Sequence, residues 1–408
     1  MTLRRTTLVP LAIGQAWLGL STAYLLALLG LGARRPAAPS VPAGAPLSAV
    51  VVVPAHDEQD GIAATVAALR AQDHAGPSEV LVVADNCTDA TAERASAAGA
   101  TVWERTDPLA RGKGQALAWA FARLWVERPD TGFVAVVDAD CLATPNLLSA
   151  LDRALRAGAP AAQCAYDVGN ADASSAAALR WAGFALMHRV RPRGRAALGL
   201  SADLFGTGMA FRAGLLRELP WTSFSVTEDA EYHVRLVQAG RRVAYVEDAA
   251  VVSPMPTSGA GAREQQLRWE SGNAALARRT SGQMLLAGLR RRDPHLLHAG
   301  AEQLVPPQAL LCAGAAAGLA AGGALRRPAL VASAGAIGAG QAAYVLGGLA
   351  AARAPAAVWR ALPAAPLLVA RKLAVLARIG SGRGATAWVR TERSPVPAGD
   401  RSREAVAA

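Results

Sequence analysis

The sequence predicts an α/β domain with a central, mostly parallel sheet, flanked by transmembrane and interfacial helices. Three observations carry that prediction. Between residues 48 and 269, short β-branched runs alternate with Ala-rich helical stretches, the rhythm of strand–helix–strand units. Outside that region lie uncharged apolar runs of membrane length. Composition joins the two: of 408 residues, 52% are apolar and 18% charged, with mean hydropathy +0.22. That is too apolar for a wholly soluble enzyme and too charged for a chain that only threads lipid.

In order, residues 7–31 carry no charge over about 25 positions, enough for a helix across a ~30 Å hydrocarbon core. Arg4, Arg5, Arg34 and Arg35 bracket them. The stretch is long for a cleaved signal peptide, so residues 1–35 read as an anchor. Residues 36–47 (PAAPSVPAGAPL) form a Pro/Ala linker. The sheet then begins: AVVVVP (49–54), EVLVVAD (79–85), TVWE (101–104) and FVAVVDAD (133–140) are predicted strands of a domain over 48–280. Their unbroken apolar character suits strands buried on both faces. Residues 281–303 read as an interfacial helix and 304–352 as two membrane helices split by Arg326 and Arg327. Residues 353–380 read as an interfacial helix, or as a third helix of that C-terminal membrane set carrying Arg360; 381–408 form a polar tail. One crossing before the domain and two after it put domain and tail on one side, and their arginines favour the cytoplasm. The expectation is a multi-pass cell-membrane protein.

The net charge is +11, and Lys113 and Lys372 are the only lysines among 42 basic residues. No basic run interleaved with aromatics is present, and no helix-turn-helix, finger or RNP pattern, which argues against nucleic acid as a partner. Much of the excess suits contact with anionic membrane lipids. Cys87, Cys141, Cys164 and Cys312 are widely spaced without a CxxC pair, as in reduced thiols facing a cytosol.

Four clusters carry chemistry. Asp85 closes a predicted strand where an open α/β sheet binds its ligand, although a turn and helix cap explain ADNCTD as well. Asp138 and Asp140, at i and i+2 after FVAVV, offer hard oxygen ligands for one divalent ion against a diphosphate. Thr227-Glu228-Asp229 opens a helix; its acids suit the helix dipole, and a pocketed carboxylate there suits a general base. Gln265, Arg268 and Trp269 share a helix face, pairing a phosphate-binding guanidinium with a flat platform for a sugar ring. RGKGQAL is not a P-loop, because Gly rather than Ser or Thr follows GK.

Taken in order, VVVPAHDE, ADNCTDAT, RGKGQAL, DAD with CLATPNLL, LFGTGMAF, TEDAEYHVRL and QQLRW resemble the family 2 glycosyltransferases of the GT-A fold. The similarity is to the membrane-bound synthase branch of cellulose, chitin, hyaluronan and poly-N-acetylglucosamine synthases. It covers roughly residues 48–275.

The resemblance implies roles position by position. Asp57 and Glu58 lie at the nucleotide edge, Asp85 contacts uracil, and Lys113 lies near the nucleotide. Asp138 and Asp140 bind the metal, Mg2+ or Mn2+, and the diphosphate. Asp229 of the TED motif is the catalytic base, with Glu228 toward the acceptor. Gly206, Thr207 and Gly208 line the acceptor site; Gln265, Arg268 and Trp269 hold the diphosphate and the acceptor end. The family usually has Asn where Asp57 stands, and Asn273 replaces a commoner Gly or basic residue; both bear on donor choice. The implied reaction moves a sugar such as N-acetylglucosamine or glucose from a UDP-sugar to a glycan or lipid-linked acceptor with inversion to a β-linkage. Transfer of one sugar to a polyprenyl phosphate or glycolipid is the alternative. A non-catalytic nucleotide-sugar-binding scaffold is more distant, because no carboxylate is missing. The few crossings leave room for export or assembly partner proteins.

Overall fold

The computed structural model describes residues 2–33, 42–254 and 259–381. Eight strands form one sheet: β1 (Ala49–Ala55), β2 (Ser78–Asp85), β3 (Thr101–Arg105), β4 (Phe133–Val136), β5 (Leu142–Ala143), β6 (Ala161–Val168), β7 (Met209–Arg212) and β8 (Val243–Ser253). Their order is β3-β2-β1-β4-β7-β6-β8-β5. The first four strands are parallel. β7 runs antiparallel to both β4 and β6, β8 is parallel to β6, and β5 closes the edge antiparallel to β8. This is the mixed, mostly parallel sheet of the expected α/β class.

The valine run of β1 explains itself in three dimensions. Val51 and Val53 pack on one face with Ile62, Val66 and Leu151, while Val50 and Val52 pack on the other with Leu117, Phe121 and Leu124. Both faces are covered, so neither parity of residue is polar. Each fully buried aliphatic contributes about 1.5–3 kcal/mol of transfer free energy.

Between β6 and β7 the chain inserts the helix Ser175–Ala185, a wide π turn Leu186–Val190 and the helix Arg191–Ala197. The sequence motifs did not single out this insertion, yet it joins the sheet domain to the outer helices. Leu186 and Val190 pack with Leu25, Leu311 and Tyr344; Ala178, Leu179 and Ala182 pack with Leu349, Val358 and Ala361. A Cβ on Gly194 would lie 2.3 Å from the Leu28 carbonyl oxygen, so only glycine permits the contact with the N-terminal helix. Buried ion pairs reinforce this seam. Arg189 pairs with Asp167, and Arg193 with Glu247. Arg195, 1% exposed, donates to Asp203 at 2.7 and 2.8 Å and to Glu302 at 2.7 Å.

The outer helices partly redraw the expected boundaries. Val9–Gly32 and Pro328–Ala351, 24 residues each, are long and apolar enough to cross a membrane. The run 304–325 becomes the helix Gln308–Ala324, whose 17 residues are at the short limit for a span. Gly259–Arg291 is one helix of 33 residues and runs through the domain end expected at 280. It is followed by Pro294–Glu302, with Asp293 accepting from His295 N and Leu296 N as its cap. The 353–380 segment forms Ala356–Ala361 and Ala365–Gly380. The first half of the Pro/Ala linker, 36–41, and the tail from 382 lie outside the described residues.

Candidate active site

At the carboxyl edge of the sheet, Lys113 is the hub. It opens the helix Lys113–Glu127, and its Nζ donates to Asp138 Oδ1 at 2.5 Å and to the Gly206 carbonyl at 2.7 Å. Glu228 Oε1 lies 3.8 Å away. Asp138 follows β4, and Glu228 and Asp229 begin the helix Glu228–Gln238. Gly206, at φ +79°, lets the loop pass between them: a Cβ there would stand 3.2 Å from Lys113 Nζ and 3.3 Å from Asp229 Oδ2. Asp138, Asp229, Glu228 and Lys113, from three separate parts of the sequence, thus face one space.

Charge in that space is unbalanced. Burial pushes the Glu228 carboxyl up to about 8; Lys113 pulls it down and Asp229 adds to the rise. Burial likewise raises Asp229, against the pull of Lys113 and with help from Asp138. For Lys113, burial works downward, but Asp138 and Glu228 outweigh it and hold the ammonium above the ordinary lysine value. A raised carboxylate beside a lysine in a cleft is a usual mark of a reacting site.

The donor set suits a hard cation. Ligand atoms of Asp138, Asp140 and Cys141 lie within 4.8 Å of one another. Burial pushes the Cys141 thiol far up, so the two carboxylates are the hard ligands available. Excess negative charge around them favours a divalent ion, and Asp138 and Asp140 can hold one.

At the edge where the sequence leads one to expect the nucleotide, Asp57 has φ +53° and accepts from Thr88 N at 2.6 Å, which ties the end of β1 to the loop after β2. Glu58 N donates to Thr91 Oγ1 at 2.8 Å. Asp85, 6% exposed, receives Arg105 Nη1 on Oδ1 at 2.5 Å. The β2–β3 register pairs Asp85 with Arg105, so this contact follows from the sheet itself.

The FGTG loop divides in role. Gly208, at φ +66°, hydrogen-bonds through N to the Val136 carbonyl and enters β7. Thr207, expected among the acceptor contacts, is wholly buried, and its hydroxyl accepts from Asp138 N at 3.1 Å. Its side chain therefore holds the aspartate. Gln265 and Arg268 are buried on the long helix; burial lowers the Arg268 guanidinium, with Glu264 opposing. That helix touches the TED segment at Gly272, where a Cβ would come within 2.6 Å of Thr227 Cγ2. Trp269 is 36% exposed, with its ring 6.0 Å from Phe184.

Sequence reasoning missed three supports. Gln163, buried on β6, donates to the Thr207 carbonyl at 2.8 Å and accepts from Phe205 N at 2.9 Å, fixing the loop. Arg105 sits one residue beyond TVWE and carried no signal except its place at a strand end. An aromatic group joins Trp269 to the loop: Phe184 to His188 at 4.6 Å, His188 to Phe205 at 4.3 Å and to Tyr166 at 5.4 Å. His188 lies in the π turn, a feature often placed at functional sites.

A mixed sheet that offers acidic side chains along one edge, beneath a loop entering its antiparallel strand, is the GT-A arrangement, and the enzymes it defines are sugar transferases. The chain belongs to Glycosyltransferase like family 2, whose model matches residues 46–272, more than half its length. A mannosyltransferase from Pyrobaculum calidifontis, in complex with GDP-Man and Mn2+, matches 84% of this chain and 97% of its own, with TM-score 0.54 and 20% identity. That likeness concerns the fold. Glucosyl-3-phosphoglycerate synthase from Mycobacterium tuberculosis, in complex with Mn2+, UDP and phosphoglyceric acid, matches 49% of this chain and 68% of its own at TM-score 0.36 and 22% identity. Glucomannan 4-beta-mannosyltransferase 7 of Arabidopsis thaliana is 35% identical over 81 residues, 20% of this chain; the chain spans 15% of that relative's length.

Proposed function

We propose that this protein is a membrane-anchored, inverting transferase of the synthase branch that moves a hexose from a UDP-sugar to a glycan or lipid-linked acceptor. The observation that carries the reading is Asp229, a half-buried carboxylate of raised pKa, facing the Lys113–Asp138 pair across Gly206. An acceptor hydroxyl loses its proton only to a base held near the anomeric carbon, and Asp229 is that base. Lys113 and Arg268 bind phosphate oxygens. A divalent ion held by Asp138 and Asp140 supplies charge compensation at the diphosphate when bound. One base and one displacement invert an α-linked donor to a β-linked product, with no second carboxylate acting as nucleophile. N-acetylglucosamine and glucose are the sugars the motif resemblance favours; mannose enters through the relatives' names.

The outer helices Val9–Gly32 and Pro328–Ala351 support anchoring, with the sheet domain cytoplasmic. A lipid-linked acceptor is the second reading, and Trp269 favours it. The ring meets Phe184, on the helix that packs beside Ala356–Ala361 of the outer set. Asp229→Asn, assayed in membranes with a panel of nucleotide-sugars, should stop UDP release while UDP still binds. Full activity in that variant overturns the assignment. Sizing the product on a gel separates one transferred sugar from many.

A further inference from the structure

The helix Glu228–Gln238 carries Asp229 near its start and His233 one turn further on, so the two share a face. The segment 201–208 meets that face at two places. At Asp229 the neighbour is Gly206, where a Cβ would stand 3.3 Å from Oδ2, and a glycine has no side chain with which to hold the carboxylate. At His233 the contact is directional: Ser201 Oγ lies 3.1 Å from Nε2, and Asp203 Oδ1 lies 3.5 Å from Nδ1. Burial lowers the His233 pKa against the pull of Asp203, and in the neutral ring one tautomer serves both neighbours. Nδ1–H then points to Asp203, and Nε2 accepts from the Ser201 hydroxyl. Ser201 is itself fixed. Its Oγ accepts from Val243 N at 3.0 Å, and Ala202 N donates to the Val243 carbonyl at 2.9 Å, which clips the segment to β8.

We propose that His233 is a positioning residue for Asp229: bonded to Ser201, it fixes the helix Glu228–Gln238 in rotation and register against the loop that carries Gly206. This rests on the reading of Asp229 as the base and adds what holds that base in place; His233 itself touches no reacting group. The helix has other anchors, but they lead elsewhere. Val234 and Val237 pack with Leu276, Met284 and Leu296, and Tyr232 and Leu236 pack with Trp221 on the sheet side. Such packing is non-directional and holds a helix down without setting its rotation. Tyr232 Oη donates to the Leu219 carbonyl at 2.7 Å and Arg235 to the Pro220 carbonyl at 3.0 Å, away from the site loop. The register matters because the same loop holds Lys113 through the Gly206 carbonyl at 2.7 Å. A helix that slips past the loop carries Asp229 away from Lys113 and Asp138, and a misplacement of about 1 Å can cost roughly a hundredfold in rate.

The test is UDP release from UDP-glucose and UDP-N-acetylglucosamine by membranes carrying the full-length protein, with UDP-binding sites counted on the same membranes. His233→Leu should lower kcat per UDP-binding site at least roughly tenfold and leave KM for the donor within about twofold. His233→Gln, whose Oε1 can accept from the Ser201 hydroxyl, should recover most of that loss. Ser201→Ala removes the same hydrogen bond from the other side and serves if His233→Leu does not fold; its kcat should fall about threefold or more with KM held. A ring that only filled space would cost melting temperature and leave turnover per site untouched. Unchanged turnover per site in either folded variant overturns the inference, as do equal losses in His233→Leu and His233→Gln or a loss that falls on KM. Wild-type membranes that release no UDP, or full activity in Asp229→Asn, overturn the transferase reading itself, an outcome distinct from failure of the His233 variants.

Discussion

Buried charge gathers in two regions, and the two are built on opposite terms. At the carboxyl edge, Asp138, Glu228 and Asp229 face one ammonium, Lys113, and burial raises both members of the Glu228–Asp229 pair. At the seam with the outer helices, acids and guanidinia are matched. Arg189 meets Asp167 and Arg193 meets Glu247. Burial pushes Asp203 up, but Arg195 and His233 outweigh it and hold its carboxyl well below the ordinary range. Burial pushes Glu302, the second acid on Arg195, up to about 7. Arg195 and Arg191 both draw it back down. Matched charge builds architecture here; unmatched charge waits for substrate and cation.

Removing charge should therefore act in opposite ways in the two places. Asp229→Asn has the largest expected effect: turnover falls by at least roughly a hundredfold, while the melting temperature holds or rises because like charges are relieved. An equal loss of turnover and melting temperature would break the comparison. Arg195→Met comes next, costing about 1–3 kcal/mol in denaturant unfolding, because the half-exposed Asp203 and the buried Glu302 lose the guanidinium they share. Turnover per folded molecule should survive. Third is pH. Glu228 binds its proton more tightly folded than unfolded, so stability falls as pH rises from the ordinary glutamate value to about 8. Thermal melts across that window should flatten in Glu228→Gln. The smallest effect belongs to the exposed pair Arg153–Asp248. Arg153→Ala should cost below about 1 kcal/mol and weaken further in salt.

The same contrast decides how much could be read from sequence. β1, β2 and β4 were legible because continuous valine and alanine runs mean burial on both faces, a local property. Asp138 and Asp229 were legible because a strand end and a helix start mark where ligands sit. The bond from Asp138 N to the Thr207 hydroxyl, 69 residues away, was not legible. Gln163 reaches across 44 residues to Thr207, and Arg195 across 107 to Glu302. Partners that far apart are chosen by topology, and no periodicity announces them. The insertion over 175–197 stayed unread for the same reason: its alanines and arginines fit a surface helix as well as a buried seam.

The helix Gly259–Arg291 begins beside the site and ends against Pro294–Glu302, about 50 Å in all at 1.5 Å per residue. A rod of that length turns small rotations at one end into displacements at the other. Arg268 and Trp269 ride near one end, and Gly272 presses on Thr227 with no side chain to cushion the contact. A displacement of the packed helices Gly259–Arg291 and Pro294–Glu302 would thus be felt at the TED segment as a shift in position.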